Sequence, residues 1–300
     1  MKVLVSDGIA PQGKEILVNA GLEVVEQKYT PEELEDNISQ YDAIIVRSAT
    51  KVRQNVIDSS NLKVIARSGV GLDNIDVDYA KSKGIPVVNT PGASSISVAE
   101  LSLAHMFSVA RFLNLSNTTM RNMEWNKKQY SKGFELTGKT LGIIGLGAIG
   151  KELAKRAQGL GMKVIAFDKF ATSNDLGVEM KELDTLLSES DIISLHVPKS
   201  PDGAVISSNE FNKMKDGVVL INCARGGVVD EKSLLEALNS GKVAAAGIDV
   251  FDDEPITESQ KELVNHSNVS VTPHIGASTN EAQLRVSIEI AEKVVAALKA

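Results

Sequence analysis

The sequence predicts an α/β protein built from two doubly wound parallel-sheet domains. Three observations predict it. Short apolar segments alternate with helical ones along most of the chain, near residues 3–6, 23–26, 43–47, 64–68 and 87–89, and again at 140–144, 163–167, 192–196, 218–222, 245–249 and 269–272. Such alternation builds parallel sheets with helices on both faces. The length, 300 residues, suits two ordinary domains. A glycine cluster opens the second series of strands and is missing from the first, so only the second is expected to bind a nucleotide.

That cluster is Gly145-Leu-Gly-Ala-Ile-Gly150. Thr140-Leu-Gly-Ile-Ile144 reads as a buried strand leading into it. Residues 148–160 read as a helix closed by Gly161. Residues 163–167 form the next strand, with Asp168 at its carboxyl end, 18 residues past Gly150. A lone GxGxxG is weak evidence, but strand, helix, strand and terminal acid in register form a dinucleotide fingerprint. Gly145 permits a tight turn and Gly147 lets the backbone approach a pyrophosphate. Gly150 lets the helix pack against the strand. Ala148 and Ile149 open the helix, whose free N–H groups and positive dipole end face the phosphates. Asp168 accepts from ribose hydroxyls and repels a 2′-phosphate, so the expected cofactor is NAD rather than NADP.

Helical segments of the first series fall around residues 11–20, 31–38, 53–59 and 76–83. Two longer helices flank the second series. One is expected to start at Ser97, where Ser97-Val-Ala-Glu100 reads as a capping box, with an apolar face through Ala99, Leu103, Met106, Ala110 and Leu113. The other is the terminal helix, with Leu284, Ile288, Ala291, Val295 and Leu298 along one stripe. Neither is apolar all round, so neither reads as a membrane span. There is no repeat, linker or low-complexity segment.

Lys and Arg number 32 and Asp and Glu 39, for a net charge of −7. The basic residues are dispersed, which argues against a nucleic-acid partner. Cys223 is the single cysteine, so no intrachain disulfide can form. With no apolar stretch long enough for a signal peptide or membrane span, the expected location is the cytoplasm.

Ligands of doubly wound sheets bind beyond the carboxyl ends of the strands. Arg225 follows the strand at 218–222, Glu254 the strand at 245–249, and His274 the strand at 269–272. Oxidising an alcohol with a nicotinamide needs such a trio. The imidazole takes the hydroxyl proton, a carboxylate orients the ring, and a guanidinium fork holds a substrate carboxylate or oxyanion. Taken singly, each is more ordinary: a structural histidine, a solvated glutamate, a turn arginine. His196, with Val197 and Pro198, ends a strand near the expected cofactor, and Cys223 and Ala224 pack beside it. His105 reads as structural and His266 as a turn residue. No HxxxH, CxxC or carboxylate cluster occurs, so no metal is expected.

These motifs resemble the D-isomer-specific 2-hydroxyacid dehydrogenases. Asn222-Cys-Ala-Arg-Gly-Gly-Val-Val-Asp230 is similar to that family's arginine motif, Asp249-Val-Phe-Asp-Asp-Glu-Pro255 to its glutamate motif and Pro273-His-Ile-Gly-Ala-Ser278 to its histidine motif. Residues 46–52, 67–76, 95–101 and 274–279 extend the resemblance toward members acting on 3-phospho-D-glycerate. It covers essentially the whole chain. It implies a Rossmann NAD-binding domain, residues 98–279, inserted in a flavodoxin-like substrate domain, residues 1–97 plus 280–300, with closure of the two expelling water before hydride transfer.

By the same resemblance, Arg225 orients the substrate, His274 is the acid/base and Glu254 its partner. Asp249 holds the nicotinamide carboxamide, and Gly276 belongs to the cofactor's surroundings. Arg47, Lys51 and Arg67 would form a basic cluster for a phosphate, with Ser48, Gly69 and Val70 lining the same cleft. The expected reaction is NAD-dependent oxidation of 3-phospho-D-glycerate to 3-phosphohydroxypyruvate. The alternatives are reduction of hydroxypyruvate, glyoxylate or another 2-oxo acid and, more remotely, a dinucleotide-sensing corepressor-like protein. A homodimer is implied, with Met123-Glu-Trp-Asn-Lys-Lys128 as its arm. Two departures stand out. The serine-sensing regulatory domain of many such members, and with it that route to feedback inhibition, is expected to be absent, and Pro91-Gly-Ala-Ser94 replaces the commoner Pro-x-Gly-Asn.

Overall fold

The computed structural model describes residues 1–299, which separate into two compact units, 1–95 with 277–299 and 96–276. In the first unit, strands β1 (Lys2–Val5), β2 (Glu23–Glu26), β3 (Ala43–Val46), β4 (Val64–Arg67) and β5 (Val87–Asn89) alternate with helices α1 (Pro11–Asn19), α2 (Pro31–Asn37), α3 (Gln54–Asp58) and α4 (Val77–Ser82). All strand pairs are parallel, in the order β2-β1-β3-β4-β5. The alternation of β1 puts Leu4 on one face, with Leu34 of α2, Ile38 just after it, Val56 of α3 and Ala80 of α4. Val3 and Val5 go to the other, with Leu17 of α1 and Ile290, Ala291 and Val294 of the terminal helix. Each buried Val, Leu or Ile among them contributes about 1.5–3 kcal/mol.

The second unit opens with α5 (Ser95–Ala110) and α6 (Leu113–Arg121). There follow β6 (Thr140–Ile144), α7 (Ala148–Gly159), β7 (Lys163–Phe167), β8 (Glu179–Met180), α8 (Leu183–Glu189), β9 (Ile192–Leu195), α9 (Ser208–Lys213), β10 (Val218–Asn222), α10 (Glu231–Ser240), β11 (Val243–Ile248), α11 (Lys261–Val264) and β12 (Val269–Val271). Its seven strands are parallel in the order β12-β11-β10-β9-β6-β7-β8. The direction of winding reverses between β6 and β9 here, and between β1 and β3 in the first unit. The terminal helix, α12 (Asn280–Lys299), belongs to the first unit.

Both sheets start these switch-point pairs alike. Asp42, just before β3, accepts the Lys2 amide at 2.7 Å and pairs with Lys63 at 3.0 Å. Asp191, just before β9, accepts the Thr140 amide at 2.8 Å and pairs with Lys215 at 3.0 Å. Each carboxylate thus ties its own strand to both neighbours. The amide and lysine at Asp42 hold its carboxyl below the ordinary range. At Asp191 burial pushes upward, and the same two kinds of donor outweigh it.

Three expectations about the long helices are corrected. α5 begins at Ser95, so Ser97 and Glu100 lie within it rather than at a cap. It stops at Ala110, because Phe112 takes a left-handed φ of 54°, and Leu113 starts α6 half-exposed. The packed stripe of α12 runs through Ala282, Val286, Ile290, Ala291, Val294 and Leu298, leaving Leu284, Ile288 and Val295 only partly buried. Among the described residues no single helix is long and apolar enough to cross a membrane.

α1 and α12 touch through Gly13, where an added Cβ would lie 2.5 Å from the Ser287 carbonyl oxygen. Gly13→Ala is therefore expected to cost about 1–3 kcal/mol, as overpacking does, despite the higher helix propensity of alanine. A urea unfolding midpoint at or above the wild type's would contradict this close approach.

Candidate active site

The fingerprint loop leaves β6 as a sharp turn. Gly145 has φ 96°, and an added Cβ would lie 2.5 Å from the His196 carbonyl oxygen across the switch point. At Gly150 a Cβ would lie 2.2 Å from the Gly145 carbonyl oxygen, so only glycine lets α7 start this close to its strand. A Cβ on Gly147 would meet nothing within 4 Å; it would project into the open space above the loop. Gly147 is the N-cap of α7 and provides no side-chain cap, which leaves the first-turn amides for an external acceptor. Ala148 and Ile149 form that turn. These residues fit a dinucleotide pyrophosphate.

Asp168 follows β7. Its Oδ2 accepts the Leu146 amide at 2.8 Å, and its Oδ1 accepts the amides of Phe170 and Ala171 at 2.8 and 3.0 Å. Burial pushes its carboxyl up, but the three amides outweigh it and hold the group below the ordinary range. The anion thus ties the glycine loop to the loop after β7. Past β9, His196 turns inward: Nε2 lies 2.9 Å from Ser194 Oγ, and Nδ1 is buried without a partner among the described residues. Burial pushes the imidazole down to about 4, so it is neutral at working pH. Val197 packs at Gly145, and Pro198 follows it. Burial likewise pushes the Cys223 thiol up to about 12, which leaves no thiolate for chemistry.

Arg225 sits in the loop after β10. Asn222 shapes that loop: its Oδ1 accepts the Ala224 amide at 3.0 Å and its Nδ2 donates to the Arg225 carbonyl at 3.1 Å. Gly226 seats the loop against the next one, since a Cβ there would lie 1.8 Å from the Phe251 carbonyl oxygen. On that neighbouring loop Glu254 Oε1 accepts the Phe251 amide at 3.1 Å, and Oε2 lies 2.6 Å from His274 Nδ1. Burial alone would raise the Glu254 carboxyl. The His274 hydrogen bond and charge, the Phe251 amide and the Arg225 charge together hold it below the ordinary range. Both side chains of the pair are substantially exposed, at 45% for His274 and 37% for Glu254. An apolar cavity of about 450 Å³, walled by Phe251, Pro255, Ile256, Val264, Val271 and Pro273, adjoins them.

His274 has a left-handed backbone, φ 53°. Asp249 holds it there. The Asp249 carbonyl accepts the His274 amide at 2.7 Å, and its carboxylate accepts the Ile275 and Gly276 amides, both at 2.8 Å, and the Thr272 hydroxyl at 2.6 Å. The carboxylate is 1% exposed, and three of its acceptor positions are already spent on the loop.

In the first unit, Arg47 follows β3 and Arg67 ends β4; Val46 pairs with Arg67, so the two leave adjacent strand ends. Asp7 and Asn74, which sequence reasoning missed, shape the loop after β3. Asp7 accepts the amides of Arg47 and Thr50 at 2.7 and 3.1 Å and the Thr50 hydroxyl at 2.8 Å. Asn74 donates to the Arg47 and Thr50 carbonyls at 2.7 and 2.6 Å. Ser48 at the tip is exposed, and neither Arg47 nor Lys51 forms an ion pair among the described residues. Arg67 folds back, with Nη1 donating to the Ser68 carbonyl at 3.1 Å. It lies over Gly69, whose φ of 145° and lack of a Cβ admit it; Val70 follows, partly buried.

A family model described as D-isomer specific 2-hydroxyacid dehydrogenase, NAD binding domain, matches residues 103–276. The chain belongs to the D-isomer specific 2-hydroxyacid dehydrogenases. It is 50% identical to a hydroxypyruvate reductase of Thermotoga maritima over 98% of this chain and 97% of that protein. It is 46% identical to a D-3-phosphoglycerate dehydrogenase of Archaeoglobus fulgidus over 98% of this chain but only 57% of the relative. Among solved structures, a glyoxylate reductase from Paecilomyes thermophila superposes with a TM-score of 0.90, at 33% identity and over 100% and 95% of the two chains. A D-lactate dehydrogenase from Aquifex aeolicus, complexed with NAD and lactic acid, gives 0.86 at 32% identity, over 100% and 96%. As a member of this family the chain is an NAD-dependent oxidoreductase with the two parallel-sheet domains expected.

Asp168→Asn keeps an acceptor for the loop amides and removes the charge. It is expected to shift the NADPH-to-NADH preference about tenfold toward NADPH, the equivalent of about 1.4 kcal/mol. Parallel kcat/KM determinations with the two cofactors check this; an unchanged ratio would contradict the assigned role.

Proposed function

We propose that this dehydrogenase interconverts a D-2-hydroxyacid and its 2-oxo acid, and that its substrates are 3-phospho-D-glycerate and 3-phosphohydroxypyruvate. The observation that carries the reading is the 2.6 Å contact between Glu254 Oε2 and His274 Nδ1, with Arg225 seated beside Glu254. Bound NAD supplies or accepts the hydride. Glu254 accepts the Nδ1 hydrogen, so Nε2 is the nitrogen that trades a proton with the substrate oxygen. In reduction His274 donates that proton to the carbonyl oxygen; in oxidation it takes it from the hydroxyl. The Arg225 fork pairs with the substrate carboxylate.

In this reading Arg47, Lys51 and Arg67 take the phosphate, supported by the unpaired state of Arg47 and Lys51. Ser48, Gly69 and Val70 supply neighbouring loop contacts, while Asp249 and Gly276 frame the nicotinamide side. Homodimer formation through residues 123–128 belongs to the same reading; Met123 and Trp125 there are 92% and 78% exposed. A second reading, reduction of unphosphorylated hydroxypyruvate, is favoured by the Thermotoga maritima relative, which this chain matches over almost its full length.

Purified protein with NADH is expected to give a higher kcat/KM on 3-phosphohydroxypyruvate than on hydroxypyruvate or glyoxylate. Turnover of the latter two with none on the phosphorylated acid establishes the second reading instead. Arg47→Ala is expected to raise KM about tenfold or more for the phosphorylated acid alone, as loss of one charge-assisted hydrogen bond does. Glu254→Gln is expected to lower kcat for reduction and move its alkaline limb to lower pH, because the imidazolium that donates the proton loses its counter-charge. An unmoved limb in a pH–rate series counts against the pairing.

A further inference from the structure

We propose that His105 is a positioning residue for the reaction: through Thr272 it holds the Asp249 carboxylate that fixes the loop carrying His274. The inference rests on the reading of His274 as the proton-exchanging group. His105 lies on α5, 2% exposed. Its side chain reaches the sheet only because β11 carries Gly247 opposite, where a Cβ would lie 2.5 Å from His105 Cβ. Its Nε2 is 3.0 Å from Thr272 Oγ1 and its Nδ1 is 3.0 Å from Ser270 Oγ.

The proton arrangement follows from valence. Asp249 Oδ1 can only accept, so the single Thr272 hydroxyl hydrogen goes to it across 2.6 Å. Thr272 Oγ1 must then accept from His105 Nε2–H. Burial lowers the His105 imidazole, partly offset by the charge of Asp249; on its other side Nδ1 meets Ser270 Oγ, which also donates to Ser108 Oγ at 3.2 Å. Asp249, with Cys223 beside it, is the charged group that faces this ring. The chain of contacts joins residues 144 and 167 positions apart in sequence to the two amides that follow His274. Without the histidine donor the Thr272 hydroxyl can turn away, and Asp249 loses one of the three groups that orient it. The left-handed loop at His274 then has more freedom, and the proton-transfer geometry loosens. A displacement of about 1 Å at a reacting group can cost about a hundredfold in rate.

The test compares four variants of the full chain. Glutamine places an amide N–H where Nε2 stood, whereas asparagine reaches only the Nδ1 position. Thr272→Ser keeps the relayed hydroxyl and Thr272→Val removes it at constant shape. With NADH and hydroxypyruvate or 3-phosphohydroxypyruvate, His105→Asn and Thr272→Val are expected to lower kcat about tenfold or more. KM for NADH should stay unchanged and the alkaline limb should move to lower pH. His105→Gln and Thr272→Ser should restore both. Amide hydrogen exchange at Ile275 and Gly276 should quicken in the first two variants and not in the second two. Equal losses in His105→Gln and His105→Asn, or an unmoved pH limb with unchanged exchange in Thr272→Val, overturn the proposal. A wild-type protein that turns over neither acid fails the functional reading instead, and the exchange measurement then decides the positioning role by itself.

Discussion

Carboxylates that accept backbone amides organise three of the loops that leave the carboxyl ends of the strands. In a parallel sheet the carboxyl ends of all strands lie along one edge, and the loops leaving that edge have no ladder to shape them. Asp7 holds the loop after β3, Asp168 ties the glycine loop to the loop after β7, and Asp249 clamps the segment after β12. Each spends its charge on two or three donors of the protein itself. A carboxylate so used is satisfied and rigid. The glycines do complementary work, removing the Cβ atoms that would keep these loops apart.

This arrangement separates structural charge from chemical charge. Asp249 is almost wholly buried and committed to its loop, whereas Glu254, farther along the same loop after β11, is exposed and shared between one amide and His274. The two acids follow the same strand but answer to different environments. One fixes where the imidazole stands, and in the proposed mechanism the other balances the charge the imidazole acquires. Cys223 and His196, although close to the same edge, are kept neutral by burial.

Much of this was legible in the sequence because the signals are local. Parallel buried strands read as short apolar runs, and the fingerprint needs only a strand, three glycines, a helix and an acid within about thirty residues. Arg225, Glu254 and His274 could be found because each follows a strand directly. The helices misled for equally physical reasons. Apolar periodicity at 99–113 continues across the left-handed turn at Phe112, so the pattern alone could not show the break. In α12 enough aliphatic residues occur on neighbouring rows for two stripes to compete, and the packing against α1 at Gly13 decides between them. Asp7, Asn74 and the His105–Thr272 contact were invisible, since each partner lies far off in the chain and carries no motif.

The paired aspartates at the starts of β3 and β9 have a consequence for behaviour in acid. Each carboxyl titrates lower in the folded protein than in the unfolded chain, where the value is about 4. Their hold on the neighbouring strands is therefore complete above that value and fades as pH falls through the lower, folded one. Protonation strips the Lys2 and Thr140 amides of their charged acceptors together and frees Lys63 and Lys215. Acid thus weakens both sheets along one equivalent seam, the line where each reverses its winding.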